Sequence, residues 1–351
     1  MLRKHHSLDL SSFHMPAHKN ISYFTQFDLT ELPLTDDLYN SCGPIKSSEC
    51  LISSIYGSGI TIFSAGGNTL CIQTMLHAAN SFGDKIIIAK NAHKSAINAI
   101  KLLGLVPIWI DVDKYQNVLA KNIEYAIVKC PDISSVYITS PDYFGVMADI
   151  KAIKKICGKI PLLVDNAHGA HLKFIDKKMH PLDLGADLCA DSAHKTLPLV
   201  LTGGAWLHVK NDFHKLNSDY IIKYRDMKES MAIFGSTSPS FLILMSLDRC
   251  GAWLVKNGEK KFKELANKVI EIKKIAVQAG FEILKNGDPT RITFDISYSV
   301  LESERFMNHM ISCKVEPELI KDGKIVLIPS PFNSEKDFRR LKQAIISFKL
   351  K

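Results

Sequence analysis

The sequence contains a lysine and an aspartate at positions where their side chains could do chemistry. Lys195 comes shortly after an apolar run at residues 187–190 and precedes residues 196–199, TLPL. Because desolvation lowers the pKa of a lysine from its ordinary value of about 10.4, a lysine in such surroundings usually has a function. Asp165 ends another apolar run, where a carboxylate is costly unless it is paired or hydrogen-bonded. Asp165 is therefore a second candidate, with a helix N-cap as the alternative interpretation.

The loop at residues 66–69, GGNT, and several histidines are the other candidates. The loop comes ahead of a helical stretch, so its backbone N–H groups and the Thr69 hydroxyl could bind a phosphate at a helix N-terminus. A plain strand-to-helix turn has the same pattern. The histidines could equally be ordinary core or surface residues; they are His93, His168, His171 and His194.

The elements that must position these residues form an alternating series of β-rich apolar runs and helical stretches. Apolar runs without polar alternation indicate strands that are covered on both faces. We therefore predict an α/β domain of three layers, with helices on both sides of a seven-stranded, mainly parallel sheet. Such sheets bind ligands beyond the carboxyl ends of their strands, where the candidates lie. The predicted strands are residues 60–63, 85–89, 106–111, 135–140, 161–165, 187–190 and 204–209.

The rest of the chain is predicted to form an N-terminal arm and a small C-terminal domain. Residues 1–50 show no strong periodicity and are interpreted as an arm that packs against another surface. A long helix near residues 256–279 leads into a small α+β domain with strands at 282–284, 291–296 and 324–328 and a closing helix at 335–348. The predicted division is an arm (1–50), a large domain (51–255), and a linking helix with the small domain (256–351).

Composition and charge exclude several classes of protein. Hydrophobic residues make up 46% of the sequence and charged residues 23%, which is typical of a globular protein and not of a disordered or fibrous one. Much of the net charge of +8 lies at residues 256–274, where apolar residues recur at helical spacing. These lysines indicate a solvated helix face, so we expect no nucleic-acid partner. No apolar stretch is long enough for a membrane span and no signal sequence is evident, so we expect no membrane partner and a cytoplasmic location.

Taken together, the candidates indicate one cofactor. A phosphate-binding loop, a histidine, a carboxylate and a lysine at the strand ends of one sheet are the groups needed to hold pyridoxal phosphate as a Schiff base. The separation of Asp165 and Lys195 along the chain fits two neighbouring strand ends. The expected substrate is then a small molecule, an amino acid.

The sequence also resembles a known family, the ornithine/lysine/arginine decarboxylases in their major catalytic region, which have the aspartate-aminotransferase-like fold (fold type I). The resemblance implies the pyridoxal-phosphate-dependent decarboxylation of a basic L-amino acid, lysine, ornithine or arginine, to an amine and carbon dioxide. The motifs that carry it follow the family's order. They are residues 13–19 (FHMPAHK), 28–31 with 34–38, 91–95 (NAHKS), 139–145 (TSPDYFG), 164–171 (VDNAHGAH), 191–197 (DSAHKTL) and 236–241 (STSPSF).

The resemblance also implies a role for each candidate. Lys195 forms the Schiff base, and Asp165 pairs with the pyridinium nitrogen. His93 stacks on one face of the cofactor ring and Ala167 on the other, and Lys195 or His194 returns a proton to Cα. His168 lies near the ring hydroxyl. The phosphate is contacted by Gly67, Asn68, Thr69, Ser192 and His194.

A homodimer is implied as well, because the family's active site forms at a dimer interface. Ser236 or Thr237 would reach the phosphate of the neighbouring subunit, so each dimer has shared active sites, and a higher oligomer is open. A metal is not part of this scheme.

Some positions depart from the family's pattern. Its Gly-Ser/Thr-Ser/Thr is Gly67-Asn68-Thr69 here, its Asp-Glu-Ala-His has Asn166 as the second residue, and its Pro-Gly-His-Lys has Ala17. Family members usually continue into a further C-terminal region, which this chain is expected to lack because the sequence stops at residue 351.

Three alternative functions stay open on sequence grounds. Another reaction of the same cofactor, such as transamination, needs the same loop, Asp165 and Lys195. A non-catalytic decarboxylase-like subunit would keep the fold without turnover. A metal site of Asp165, His168 and His171 is the third, since imidazoles three residues apart on a helical turn can share an ion.

Overall fold

The computed structural model describes residues 36–113, 115–176, 178–211, 223–285 and 287–350, together with the backbone of a short strand, β1 (Ser11–Ser12). The motifs at residues 13–19 and 28–31, and the start of the one at 34–38, lie outside the described residues.

A seven-stranded sheet stands at the centre of the fold, as the sequence predicts. Its order is β2-β8-β7-β6-β5-β3-β4, and β8 runs antiparallel to β2 and β7 while the other neighbouring strands pair in parallel. Ile87 and Ile88 pack into apolar clusters on opposite faces, which explains why the runs lack polar alternation. The strands are β2 (Ser58–Ser64), β3 (Lys85–Ala89), β4 (Val106–Ile110), β5 (Ser135–Thr139), β6 (Leu162–Asp165), β7 (Leu188–Asp191) and β8 (Ala205–Lys210).

Helices cover both faces of this sheet. They are α1 (Pro44–Tyr56), α2 (Gly67–Asn80), α3 (Lys94–Leu103), α4 (Ala120–Lys129), α5 (Ile150–Cys157), a 3₁₀ helix (Ala170–Phe174), α6 (Pro181–Leu184), α7 (Ala193–Thr196), α8 (Tyr224–Phe234) and α9 (Phe241–Gln278). One apolar cluster joins α2, α3 and α8 to the sheet, and another joins α4 and α5 to its opposite face. The predicted three-layer α/β architecture is confirmed.

Helix α1 begins within residues 1–50, the segment for which the sequence shows no strong period, and extends beyond it to Tyr56. Its buried residues are Ile45, Glu49, Ile52 and Tyr56, which are spaced as one face of a helix. A carboxylate at a core-facing position hides this period in the sequence. Glu49 is buried because it pairs with the Lys228 ammonium, which also donates a hydrogen bond of 2.7 Å to the Leu38 carbonyl oxygen.

Helix α9 begins at Phe241 and not near residue 256. Leu244, Leu247, Cys250 and Leu254 are buried along its first half and extend the apolar stripe that the sequence indicates only farther on. The helix therefore runs through the predicted boundary at residues 255 and 256. One apolar cluster contains residues from α1, the sheet, α9 and the C-terminal segment.

The C-terminal unit, residues 281–350, has a three-stranded antiparallel sheet in the order β11-β12-β9. Residues 282–284, predicted as a strand, pair with β9 through a single bridge between Ile283 and Phe294. The unit's elements are β9 (Ile292–Asp295), α10 (Val300–Ser312), β10 (Val315–Glu316), β11 (Leu319–Lys321), β12 (Lys324–Leu327) and α11 (Glu335–Ser347). No helix in the described parts of the chain is both long enough and apolar enough to cross a membrane.

Candidate active site

A cavity of about 1040 Å³ opens at the carboxyl ends of the parallel strands, where it also meets the C-terminal unit. It brings most of the predicted site residues together. Those that line it are Gly67, Asn68, Thr69, His93, Asp165, Ala167, His168, Ser192, His194 and Lys195. Ser236 and Thr237 do not line it in this chain, and both are exposed.

Asp165 is the last residue of β6 and is 1% exposed. Its Oδ1 accepts hydrogen bonds from Asn68 Nδ2 at 2.8 Å and from the Ala167 backbone N–H at 3.2 Å. Its Oδ2 accepts one from the Tyr137 hydroxyl at 3.1 Å. Burial raises the pKa of Asp165, while the positive charge of Lys195 and the hydrogen bonds from Tyr137 and the Ala167 N–H counteract that effect. The carboxylate is thus held in place by neutral donors.

Lys195 lies in α7, the short helix that follows β7, so it reaches the cavity from the strand next to that of Asp165. Burial lowers the pKa of Lys195, while the negative charge of Asp165 raises it. A lowered pKa increases the fraction of neutral amine, which is the nucleophilic form. Lys195 Nζ lies 3.1 Å from His168 Nε2.

His168 is buried beneath the ring of Tyr143, with ring centroids 4.8 Å apart. Burial, and then the charges of Lys195 and Arg291, lower the pKa of His168 well below its usual range, so the imidazole is neutral. When Lys195 carries its proton and donates to Nε2, the imidazole proton is on Nδ1. Arg291 holds the backbone at His168 and at Tyr143, because its guanidinium donates to the carbonyl oxygen of each at 3.4 Å.

His93 is the N-cap of α3, and its Nδ1 accepts a hydrogen bond from the Ser95 backbone N–H at 3.3 Å. Burial lowers the pKa of His93, and the negative charge of Asp165 raises it by a smaller amount. A neutral imidazole anchored by one nitrogen presents an uncharged ring to the cavity, which suits it for packing against another flat ring.

The loop before α2 has the form of an anion site. Helix α2 begins at Gly67, whose φ of +72° is accessible to glycine at little cost. The Gly67 N–H donates to the Gly203 carbonyl oxygen at 2.7 Å, so the N–H groups after it in the first turn are the ones that face an anion. Ser192 and His194 approach the same region, and the His194 Nδ1–H donates to the Gly204 carbonyl oxygen at 3.0 Å.

The three side chains of the alternative metal site have separate partners. Asp165 contacts Asn68 and Tyr137, and His168 contacts Lys195. His171 lies outside the cavity, where its Nε2 is 3.1 Å from Asp288 Oδ1. The described residues that do cluster as metal ligands are others, His180, Cys189 and Asp191, which already hydrogen-bond to one another.

Several contributors were not identified from the sequence. Tyr137 is a strand residue that reads as ordinary core. Arg291 and Asp288 come from the C-terminal unit, more than 90 positions along the chain from Lys195. The Glu318 carboxylate of the same unit accepts a hydrogen bond from the Tyr143 hydroxyl. The sequence does contain one signal for Arg291, because this arginine begins the predicted apolar strand at residues 291–296, and an arginine is rarely buried unless it is paired.

The polar groups of the cavity fit a flat, polar cofactor with an anionic tail. Among the described residues, four buried side-chain atoms of residues that line it have no hydrogen-bond partner: Asn68 Oδ1, Asn91 Oδ1, Thr139 Oγ1 and His168 Nδ1. Unpartnered buried polar atoms are rare in folded proteins, so their convergence marks a place for polar groups of a ligand. A helix N-terminus, a buried carboxylate and a lysine of lowered pKa complete the set that pyridoxal phosphate requires.

Comparisons with known proteins place these features in a family. The family model "Orn/Lys/Arg decarboxylase, major domain" matches residues 1–310. An arginine decarboxylase of Bacillus subtilis (strain 168) is 31% identical over 98% of this chain and 75% of that protein. An uncharacterized protein of the same strain, YaaO, is 33% identical over 93% of this chain and 72% of its own length.

A solved structure shows the same fold. Lysine decarboxylase A from Pseudomonas aeruginosa superposes with a TM-score of 0.77 at 15% identity, over 91% of this chain and 52% of that one. The chain therefore spans about half the length of that decarboxylase. The expectation of a type I fold of pyridoxal-phosphate enzymes is confirmed.

Proposed function

The chain belongs to the Orn/Lys/Arg decarboxylase family and is a pyridoxal-phosphate-dependent amino-acid decarboxylase, and from this premise we propose that it acts on a basic L-amino acid. The observation that carries the proposal is the approach of Lys195 and Asp165 to one cavity from the neighbouring strands β7 and β6. The proposed substrates are lysine, ornithine or arginine, with the amine and carbon dioxide as products.

The choice of a basic substrate has two supports. The relative in Bacillus subtilis is named for arginine and the structural neighbour for lysine. Three carboxylates besides Asp165 line the cavity, Asp142, Asp295 and Asp322, and a cationic side chain would bind such groups by charge-assisted hydrogen bonds.

Bound pyridoxal phosphate supplies an electron sink that accepts the electron pair of the bond between Cα and the departing carboxylate. We propose that Lys195 attaches the cofactor covalently and that an incoming amino group displaces it. The lowered pKa of Lys195 supports this role because only the neutral amine is a nucleophile.

Asp165 is the residue proposed to pair with the ring nitrogen. An ionised carboxylate beside that nitrogen favours its protonated form, and a protonated ring withdraws electrons more strongly. Burial of Asp165 at 1% exposure keeps water from competing for the contact.

The remaining residues are proposed to hold the cofactor. His93 and Ala167 pack on its ring, and His168 lies by its hydroxyl group. The phosphate is proposed to bind the first turn of α2 at Gly67, Asn68 and Thr69, with Ser192 and His194 beside it and Ser236 or Thr237 from the neighbouring subunit.

Return of a proton to Cα is proposed to fall to Lys195, with His194 as the alternative. Lys195 Nζ contacts the neutral His168 at 3.1 Å, so the released amine is positioned and can hold a proton. The His194 Nδ1–H donates to the Gly204 carbonyl oxygen at 3.0 Å, which orients the ring of this residue at the cavity.

Product analysis tests the proposed activity. The purified protein, supplied with pyridoxal phosphate, should release cadaverine, putrescine or agmatine when given lysine, ornithine or arginine separately. Carbon dioxide should appear in equal amount. Formation of an oxo acid without carbon dioxide would identify transamination, and the absence of any product from all three would contradict the proposal.

We further propose a homodimer whose two active sites are shared. Ser236 and Thr237 are exposed and lie outside the cavity of their own chain, which supports a role toward a neighbour. Mixing inactive Lys195→Ala chains with inactive Thr237→Trp chains should restore activity, because one site of each mixed dimer draws both residues from unaltered sequence. With free exchange, about a quarter of the wild-type activity is expected, since half of the dimers are mixed and each has one intact site.

The matched controls are each variant exchanged with itself, which should stay inactive. Mass spectrometry of differently tagged chains must show that exchange took place. Verified exchange without recovery of activity, or an active protein that sediments as a monomer, would contradict the shared-site dimer.

A further inference from the structure

We propose that Tyr137 and Asn68 are positioning residues that hold the Asp165 carboxylate ionised and oriented toward the cofactor's ring nitrogen. The inference rests on the proposed function, in which Asp165 pairs with that nitrogen. It assigns a purpose to a strand tyrosine that the sequence indicates only as core, and to an asparagine that the sequence places in the phosphate loop.

The contacts around Asp165 are built for a carboxylate and not for a carboxylic acid. Asn68 Nδ2, the Ala167 N–H and the Tyr137 hydroxyl all donate to it, at 2.8, 3.2 and 3.1 Å. Hydrogen bonds from donors favour the charged form of an acid. Oδ1 accepts two of these bonds and Oδ2 accepts one, which leaves Oδ2 with an unused lone pair for a further donor.

These donors oppose the effect of burial, which disfavours the charged form of Asp165. Asp165 is 1% exposed, and burial is the largest influence on its pKa, which it raises. A buried carboxylate that is more basic competes with the ring nitrogen for the shared proton. Removing a donor therefore shifts that proton from the nitrogen toward Asp165, which weakens the electron sink.

Tyr137 is well placed for this task. In β5 it lies two residues before Thr139, which pairs with Asp165 across the sheet, so Tyr137 and Thr139 point to the same face. Tyr137 is fully buried, and burial together with the nearby Asp165 raises its pKa well above the usual range. Its hydroxyl consequently stays protonated and can act only as a donor to this carboxylate.

Asn68 contacts Asp165 through the NH₂ group of its side-chain amide. It is the second residue of α2, and its backbone faces the proposed phosphate site while its side chain crosses to the end of β6. The family's pattern has Ser or Thr at this position, and a hydroxyl attached directly to Cβ is too short to make the same contact. The departure from the family's pattern thus coincides with the residue that contacts Asp165.

The segment after Asp165 is fastened independently. Asn166 Nδ2 donates to Asp191 Oδ1 at 2.7 Å, and Asp191 also accepts a bond from His180 Nε2 at 3.0 Å. The backbone beside Asp165 therefore stays in place when a donor to Asp165 is removed. Changes at Tyr137 or Asn68 should act on the carboxylate itself.

Tyr137→Phe is the decisive variant, because it removes only the hydroxyl that donates to Asp165, from a residue that does not itself line the cavity. The holoenzyme is prepared with ¹⁵N-labelled pyridoxal phosphate, and the ring nitrogen resonance is measured beside kcat and KM. The equilibrium between protonated nitrogen and protonated carboxylate should shift by about tenfold toward the carboxylate, which is the typical effect of losing a hydrogen bond to a charged group. Correspondingly, kcat should fall by about tenfold with little change in KM.

Asn68→Ala should give a shift of the same sign, and the double variant a larger one. Tyr56→Phe is the matched control, because the buried Tyr56 hydroxyl donates at 2.8 Å to the Ala170 carbonyl oxygen and Tyr56 does not line the cavity. It should change thermal stability to a similar extent and leave the ¹⁵N resonance unchanged.

The outcomes separate this inference from the proposed function. A wild-type protein that binds no cofactor, or binds it with an unprotonated ring nitrogen, overturns the assignment of Asp165 and, with it, the positioning role of Tyr137 and Asn68. A wild type with a protonated nitrogen, beside a folded Tyr137→Phe holoenzyme with the same resonance and kcat, overturns the positioning role alone. If the double variant does not fold, Tyr137→Phe decides the question by itself.

Discussion

Lys195→Ala is expected to abolish turnover and covalent attachment of the cofactor while the protein stays folded. Lys195 is half-buried, with its Nζ 3.1 Å from His168 Nε2, and burial lowers its pKa, which favours the reactive neutral amine. Alanine has no amine to attach the cofactor or to return a proton, and loss of a covalent catalyst removes several orders of magnitude in rate. Borohydride reduction followed by mass spectrometry of the peptides should label residue 195 in the wild type and nothing in the variant.

Lys154→Ala serves as the matched control for a lysine with a carboxylate partner. Lys154 Nζ pairs with Asp187 at 2.6 Å, and neither residue lines the cavity. This variant should keep the label on residue 195 and its turnover. A Lys195→Ala protein that still formed the reducible adduct, or still released amine at the wild-type rate, would show that another residue attaches the cofactor.

Asp165→Asn is expected to lower kcat by about a hundredfold or more while the cofactor still binds. The substitution keeps the size of the side chain and a hydrogen-bonding group, but it removes the negative charge that is proposed to favour a protonated ring nitrogen. The preorganised charge is buried, so water cannot replace it. Cofactor content should be measured by absorbance after dialysis, and kcat by release of carbon dioxide.

The control for Asp165 is Asp183→Asn. Asp183 is a carboxylate that pairs with Lys173 at 2.7 Å and does not line the cavity. It should lower stability slightly and leave kcat within about twofold, because partly exposed ion pairs contribute little. Wild-type turnover in Asp165→Asn would show that Asp165 does not face the ring nitrogen.

The two halves of the chain differ in how far the sequence predicts their structure. Uninterrupted apolar runs correspond to all seven strands of the large sheet, since a strand covered on both faces needs apolar residues on both sides. The sequence pattern does not predict helix α1 or the first half of α9. In α1 the paired Glu49 occupies a core position, and a charge that is neutralised by a residue far along the chain cannot be told from an exposed one.

By itself, the sequence determined the α/β class, the cofactor, the family and the candidates at the strand ends, because these depend on residue types and on spacing within single elements. Only the tertiary structure decided which partners meet. Asn68 contacts Asp165, Tyr137 contacts the other oxygen of the same carboxylate, and Arg291 holds the loop of His168. Each contact joins elements that are remote in sequence. The two contacts of Asp165 depend on how α2 and β5 pack beside β6, and the contact of Arg291 depends on how the C-terminal unit packs against the large sheet. Hydrogen bonds act over about 3 Å, so no pattern along the chain encodes them.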